Sequence, residues 1–158
     1  MATRKILKIG DETLNKKSKP VEVFDKRLQE LIDDMLETMH KAPGAGLAAV
    51  QVGVLKRVFV VNTGRGDMIF VNPEILETRG KNKIKYEACL SVPGKFGEVD
   101  RPNKVRIKFQ DREGNWQEKT YDGYTCLAIC HEYDHLDGML YCDKAIKMYD
   151  EGEDPKCE

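Results

Sequence analysis

Two histidines four residues apart, with a glutamate after the first, form the pattern in this chain that is most able to do chemistry. The stretch His131-Glu132-Tyr133-Asp134-His135 reads H-E-x-x-H and contains two of the three histidines of the protein. Residues four apart lie on the same face of a helix, so the two imidazoles can bind one metal ion. The glutamate can then move a proton for a water molecule at that metal. The alternative is a pair of surface histidines on a charged helix.

A catalytic site of this type needs a third protein ligand, because such sites usually have three and leave one position open. A cysteine thiolate or one of the many carboxylates could supply it. Cys130 is adjacent to His131 on the same helix and therefore points about 100° away from it. We interpret Cys126 and Cys130 as small buried hydrophobic residues, although they could form a rival site with Asp134. Cys89, at the end of a predicted strand, is a plausible third ligand.

Two predicted helices and several strands must position these groups. Apolar residues recur at helical spacing over residues 26–41, with Asp25 as the N-cap and His40 expected on the surface. A second helix follows Asp122, carries the H-E-x-x-H pattern and ends near Gly138. On it, Leu127 precedes His131 by four residues and should form an apolar wall beside the metal. Strands are predicted over residues 57–62, 68–72, 75–78, 84–87, 104–110 and 116–121.

This order of elements indicates an α+β fold. The 158 residues fit a single domain. We expect antiparallel or mixed β-sheets packed around the C-terminal helix that carries H-E-x-x-H, with an amphipathic N-terminal helix. Residues 1–24 should be irregular or extended. The last dozen or so residues are polar and are expected to form a frayed tail.

Charge and hydropathy argue against several classes of function. The formal net charge is −1, without the basic excess that a nucleic-acid binder usually needs. No apolar run is long enough to span a membrane, and no apolar region of a signal peptide follows the N-terminus. We therefore expect a cytoplasmic protein with no membrane or nucleic-acid partner. The five cysteines, at irregular spacing, then indicate reduced thiols.

Three separate stretches together resemble the peptide deformylases, metalloenzymes that remove the N-formyl group from new bacterial polypeptides. They read GAGLAAVQ at residues 44–51, EACLS at 87–91 and CHEYDHLDG at 130–138. They occur in the family's order and at about its spacing, and the similarity extends over roughly residues 4–145. The joint match is far more specific than any one of the motifs.

The resemblance implies a role for each matching residue. Cys89, His131 and His135 would be the metal ligands. Glu132 would be the general acid and base that serves the attacking water and the leaving amine.

The resemblance also implies the oxyanion site and the substrate contacts. The side-chain amide of Gln51 and the backbone N–H of Leu90 would stabilise the oxyanion that forms on the formyl carbonyl. The backbone of residues 44–46, including Ala45 and Gly46, would lie along the substrate. Helix geometry, rather than the resemblance, predicts that Leu127 lines the pocket for the methionine side chain. The products would be formate and a free N-terminal methionine.

One divalent metal ion is implied as the cofactor, with Fe(II) as the native metal and zinc, nickel or cobalt able to occupy the site. The implied partner is an N-formylmethionyl nascent peptide. The long basic C-terminal helix with which some members dock on the ribosome is missing, so we expect at most a transient ribosome association.

The motifs depart from the family's usual pattern at four positions. Ala88 replaces a glycine, which would cost on the order of 1 kcal/mol if that position needs a positive φ. Val50 replaces a proline and should loosen the backbone before the oxyanion donor. Cys130 replaces a glutamine, and Ala45 replaces a bulkier residue and should widen the pocket mouth.

A further expectation concerns the loop that carries Cys89. We predict that Glu87 pairs with Arg101 and so braces that loop. The alternative is that both are solvated charges, worth under about 1 kcal/mol as a pair.

Two other functions compete with this interpretation. A small H-E-x-x-H peptidase would take a distant His or Glu as third ligand, and His40 is the one spare histidine. A structural metal module would need a fourth protein ligand, and Cys130 faces the wrong way.

Overall fold

The computed structural model describes residues 2–153, and these form two α-helices and two antiparallel sheets. The helices are α1 (Lys26–Lys41) and α2 (Gly123–Leu136). The strands are β1 (Gly46–Ala48), β2 (Val58–Val61), β3 (Met68–Arg79), β4 (Tyr86–Cys89), β5 (Val92–Glu98), β6 (Lys104–Gln110), β7 (Trp116–Asp122) and β8 (Lys147–Asp150). Short 3-10 helices cover Glu12–Asn15, Ala49–Val52 and Tyr141–Asp143. The predicted α+β class is confirmed.

Helix α1 forms over the predicted residues because its apolar side chains lie on one face. The carboxylate of Asp25 accepts a hydrogen bond from the N–H of Leu28 at 3.0 Å, which confirms the predicted N-cap. The buried face packs on strands β1 and β2 in one core cluster. His40, near the end of this helix, is exposed as expected and hydrogen-bonds to Asp67.

The larger sheet has the order β1-β2-β3-β6-β7, and the smaller one has the order β4-β5-β8. The prediction of two strands at 68–72 and 75–78 is wrong, since both belong to β3. Pairing of β3 with β6 shifts register between Val71 and Glu74, around Pro73, which has no N–H to donate. The predicted strands at 104–110 and 116–121 pair as a hairpin.

Helix α2 is buried on most of its surface because it packs against the larger sheet and lies beside the smaller one. Ile129 and Leu136 belong to the same core cluster as Phe59 and Phe70 of the sheet. The helix ends where predicted, with Gly138 following the C-cap residue Asp137 at a φ of 76°. Burial of the helix fixes the direction of its two histidines.

The expected frayed tail is wrong for Lys147–Asp150. These residues form β8 and pair with β5, for example Tyr149 with Phe96. Main-chain hydrogen bonds and ring stacking hold this polar segment, and neither shows in its composition. Residues 154–158 of that expectation lie outside the described part of the chain. Among the described residues, no helix is long and apolar enough to cross a membrane.

Candidate metal centre

Three residues able to bind a metal converge from two separate elements. Cys89 ends β4, and His131 and His135 lie one turn apart on α2. Candidate ligand atoms of these residues all lie within 4.8 Å of one another. Sγ of Cys89 is 3.4 Å from Nε2 of His135. Among the possible third ligands left open by spacing, Cys89 is the one that the fold brings to the histidines.

The surroundings of the two histidines fit a metal ion. Nδ1 of His131 lies 2.7 Å from Oε1 of Glu87, which leaves Nε2 as the ligand atom. Burial lowers the pKa of His135 well below its usual value and keeps that ring neutral. Burial opposes ionisation of His131 too, but the negative charges of Glu132, Cys89 and Glu87 raise its pKa. A cation bound there would therefore displace a proton. A thiolate with two imidazoles suits zinc or ferrous iron.

A buried network of charges supports this cluster from behind. Arg101 donates two hydrogen bonds of 2.9 Å to Glu87 and a third of 2.6 Å to Asp134. The predicted pair of Glu87 and Arg101 is confirmed, and both side chains are buried. Burial alone would raise the pKa of Glu87, but the hydrogen bonds from Arg101 and His131 hold that pKa at about 2. Glu87 is therefore an anion that fixes the ring of His131.

Asp134 is a member of this network that the sequence did not reveal. It accepts hydrogen bonds from Arg101 and, at 3.0 Å, from Nζ of Lys144. Its place inside the H-E-x-x-H stretch is a signal that could have pointed to it. The arginine, however, comes from a loop 33 residues earlier in the chain.

Glu132 lies next to the cluster with an unusual environment for a carboxylate. It is buried, and its Oε1 has no hydrogen-bond partner among the described residues. Its Oε2 lies 4.0 Å from Nε2 of His131. Burial raises the pKa of Glu132 to about 7. A carboxylate with that pKa can both accept and donate a proton near neutral pH.

The side chain of Gln51 is fixed at the other edge of the cluster. Its Oε1 accepts the N–H of Ala48 at 2.9 Å. Its Nε2 lies 3.0 Å from Oγ of Ser91 and 3.5 Å from Sγ of Cys89. One N–H of the amide is thus directed to Ser91 and the other towards the sulfur of Cys89. The sequence did not indicate Ser91 as a partner of this amide.

Known proteins are similar to this chain over almost its whole length. The family model for polypeptide deformylase matches residues 3–151. The chain belongs to the peptide deformylase family. Enzymes of this family depend on a metal and remove the N-formyl group from nascent peptides, which is the activity this chain has.

Individual peptide deformylases are similar over most of their length. That of Caldicellulosiruptor bescii is 53% identical over 153 residues, which cover 97% of this chain and 92% of the relative. Peptide deformylase 1 of Clostridium acetobutylicum is 52% identical over 144 residues, which cover 91% of this chain and 95% of the relative.

Solved peptide deformylase structures share the fold. The crystal structure from Thermotoga maritima has a TM-score of 0.90 at 39% identity and covers 93% of this chain and 100% of its own. That from Legionella pneumophila has a TM-score of 0.86 at 44% identity and covers 90% of this chain and 86% of its own.

The site opens into a cavity of about 450 Å³. Most of the predicted site residues line it, and His135 is the one that does not. They are Ala45, Gly46, Gln51, Cys89, Leu90, Leu127, His131 and Glu132. Tyr86 and Tyr124 also line the cavity and are exposed, and the sequence did not single them out.

The departures from the deformylase motifs leave the cluster intact. Ala88 is not among the described residues with positive φ, so alanine carries no backbone strain there. Val50 is fully buried, and Gln51 after it is held by Ala48 and Ser91. Cys130 is buried with Cys126 in the core cluster, as expected, away from the ligands.

Proposed function

We propose that Cys89, His131 and His135 hold the metal ion with which this chain removes the N-formyl group from the formylmethionine of nascent polypeptides. The observation that carries the proposal is the convergence of these three residues beside a buried glutamate. The thiolate of Cys89 adds negative charge that two neutral imidazoles do not. Glu87 fixes the tautomer of His131 by accepting its Nδ1–H.

We infer that the metal is a single divalent ion, with Fe(II) as the native one and zinc, nickel or cobalt able to replace it. One sulfur and two nitrogen donors are consistent with each of these ions. When bound, the metal acts as a Lewis acid that lowers the pKa of water and polarises the carbonyl.

Glu132 is the proposed general base and acid. Its carboxylate takes a proton from the water that attacks the formyl carbon. The C–N bond then breaks, and Glu132 delivers the proton to the departing amine nitrogen, so that formate and a free N-terminus result. Its pKa of about 7 supports both transfers near neutral pH.

Gln51 and Leu90 are the proposed oxyanion donors. The Nε2 of Gln51 lies 3.5 Å from Sγ of Cys89, so its amide is next to the reacting position. Leu90 follows Cys89 directly and lines the same cavity, and its backbone N–H is the second proposed donor. Two fixed donors stabilise a charge that develops only in the transition state.

Strand β1 is the proposed docking edge for the substrate backbone. It is an edge strand of the larger sheet, so an extended peptide can pair with its free side. Ala45 and Gly46 line the cavity on this side, and Leu127 provides an apolar wall for the methionine side chain.

The proposed partner is the formylated nascent chain, encountered in the cytoplasm during a transient association with the ribosome. We also propose that residues 1–158 act as one catalytic domain. Supporting this, Cys89 comes from the smaller sheet while both histidines come from a helix packed on the larger one.

The test uses anaerobically purified protein of measured metal content. A short formyl-Met peptide should yield equal amounts of formate and free amine, and iron-loaded protein should be the most active form. The same peptide without the formyl group should remain intact, because no internal peptide bond is attacked. Failure to release formate with iron, zinc, nickel or cobalt, or cleavage inside the unformylated peptide, would contradict the proposal.

A further inference from the structure

A short segment near the N-terminus, residues 7–9, crosses both halves of the proposed oxyanion site. The N–H of Leu7 donates to the backbone carbonyl of Gln51 at 2.7 Å. The N–H of Ile9 donates to the backbone carbonyl of Ser91, also at 2.7 Å. The segment therefore links the 3-10 helix that carries one donor to the turn after β4 that carries the other.

Lys8, between these two residues, reaches the second donor residue itself. Its Nζ donates a hydrogen bond of 3.0 Å to the backbone carbonyl of Leu90. A hydrogen bond on that carbonyl restricts rotation within Leu90, whose own N–H is the proposed donor. The Lys8 side chain is exposed, so it is not required by the hydrophobic core.

The segment is itself anchored. The carbonyl of Lys8 accepts the N–H of Asp11 at 3.1 Å, and Leu14 of the following 3-10 helix is fully buried. Gln51 and the turn after β4 are also linked directly, because Nε2 of Gln51 donates a hydrogen bond of 3.0 Å to Oγ of Ser91. Their separation is therefore set by several hydrogen bonds rather than by one.

The placement of these donors matters as well as their presence. An oxyanion site accelerates a reaction because its donors are already oriented, and small displacements weaken it in the transition state more than in the ground state. A group that restricts Leu90 from outside the cavity should thus affect the chemical step without touching the substrate.

We propose that Lys8 is a positioning residue that holds the Leu90 half of the oxyanion site, together with the main-chain bonds of residues 7–9. This inference rests on the proposed function of Leu90 and Gln51. An exposed lysine without such a role contributes almost nothing. The hydrogen bond is exposed and adds little to stability. A misplaced donor should lose a part of the roughly 100- to 1000-fold that a whole oxyanion donor supplies, so we expect about a 2- to 12-fold decrease in kcat.

The experiment compares Lys8→Met, which keeps the length and removes the charge, with Lys8→Arg, which keeps a donor. Lys5→Met serves as the matched control, because Lys5 is exposed two residues before this segment and no hydrogen bond of its side chain occurs within residues 2–153. Each protein is assayed on a formyl-Met peptide for kcat and KM, with metal content and thermal midpoint measured alongside.

The proposal expects Lys8→Met to lower kcat by the stated amount while KM, metal content and thermal midpoint match the wild type. Lys8→Arg should recover most of the loss, and Lys5→Met should equal the wild type. A kcat for Lys8→Met equal to that of Lys5→Met would overturn the role of Lys8. A loss of metal or of thermal stability in proportion to the lost activity would overturn it too, by assigning a merely structural role.

A second pair of variants tests the main-chain bond. Ile9 is exposed, so Ile9→Ala removes side chain alone, whereas Ile9→Pro also removes the N–H that Ser91 accepts. The proline variant should have the lower kcat of the two. Equal kcat values of the two variants would contradict the positioning role of the main-chain bonds of residues 7–9. An inactive wild type in the same assay would instead overturn the proposed function.

Discussion

The position that a Cβ atom of residue Gly46 would occupy lies 2.5 Å from Oε2 of Glu132. Strand β1 therefore passes so close to the buried carboxylate that a side chain at position 46 would force the side chain of Glu132 to move. The glycine at this position of the first motif is explained by the buried glutamate of the third motif. This contact joins the proposed substrate-docking edge to the proposed acid and base.

Gly46→Ala should therefore displace the carboxylate of Glu132. We expect activity to fall by about 10- to 100-fold, because a displacement of about 1 Å misplaces the proton transfer. Metal content should not change, since Gly46 is not one of the candidate metal ligands. The measurement is kcat/KM on a formyl-Met peptide, with metal analysis of the same sample.

A double-variant cycle checks that the effect passes through the glutamate. In a Glu132→Gln background, Gly46→Ala should cost much less than it does in the wild type, because the group it displaces is already disabled. Full additivity of the two losses would contradict this explanation.

Arg101→Ala should destabilise the protein strongly. It leaves Glu87 and Asp134 buried without their cation, for which we expect a loss of about 3–5 kcal/mol in the free energy of unfolding. Metal affinity should fall by about 10- to 100-fold, since Glu87 would no longer orient His131 firmly. The measurements are denaturant unfolding and metal titration.

Arg79→Ala is the matched control, because Arg79 pairs with Glu77 on the surface and its side chain is 74% exposed. That variant should cost under about 1 kcal/mol. If Arg101→Ala were as mild as Arg79→Ala, the bracing role of Arg101 would be wrong.

Stability should decrease in acid partly through Glu87. Its pKa is held at about 2, below the ordinary 4.5. A group with a lowered pKa stabilises the folded state above its unfolded pKa, and this stabilisation is lost as the pH falls towards the folded pKa. Between about pH 5 and pH 3, unfolding free energy should thus decline more steeply in the wild type than in Glu87→Gln. The unfolding free energy is measured by chemical denaturation of both proteins. If it declined in parallel in the wild type and in Glu87→Gln, Glu87 would not be responsible for the acid sensitivity.

Gln51→Leu should leave the metal in place and slow the chemical step. Removing one oxyanion donor typically lowers kcat by about 100- to 1000-fold. The change is expected in kcat rather than KM, because the donor acts on charge that appears in the transition state. A variant that lost activity through a higher KM alone would point to substrate binding instead.

Local patterns were enough to predict the elements that carry the histidines. The apolar spacing and N-cap of residues 26–41, the helix with H-E-x-x-H and the alternating hairpin all follow from short-range rules. The resemblance then identified Cys89, which spacing alone had left open. The two helices and the hairpin need only neighbouring residues to be recognised, whereas Cys89 needed the joint match of three motifs.

The remaining features depend on contacts between distant residues. Arg101 reaches Asp134 across 33 positions, and Lys8 reaches Leu90 across 82. Strand β8 is polar and is stabilised by pairing with β5. Strand β3 continues through Pro73 because strands on both sides hold it. No local propensity contains this information.

X-ray absorption of the zinc-loaded protein tests the central claim most directly, because it reports which atoms bind the metal. We predict one sulfur at about 2.3 Å and two imidazole nitrogens at about 2.0–2.1 Å, with a light atom completing the coordination. Cys89→Ser should remove the sulfur signal. Cys142→Ser, which changes a partly buried cysteine outside the candidate metal group, should keep it. A spectrum without sulfur in the wild type, or one unchanged by Cys89→Ser, would contradict the account.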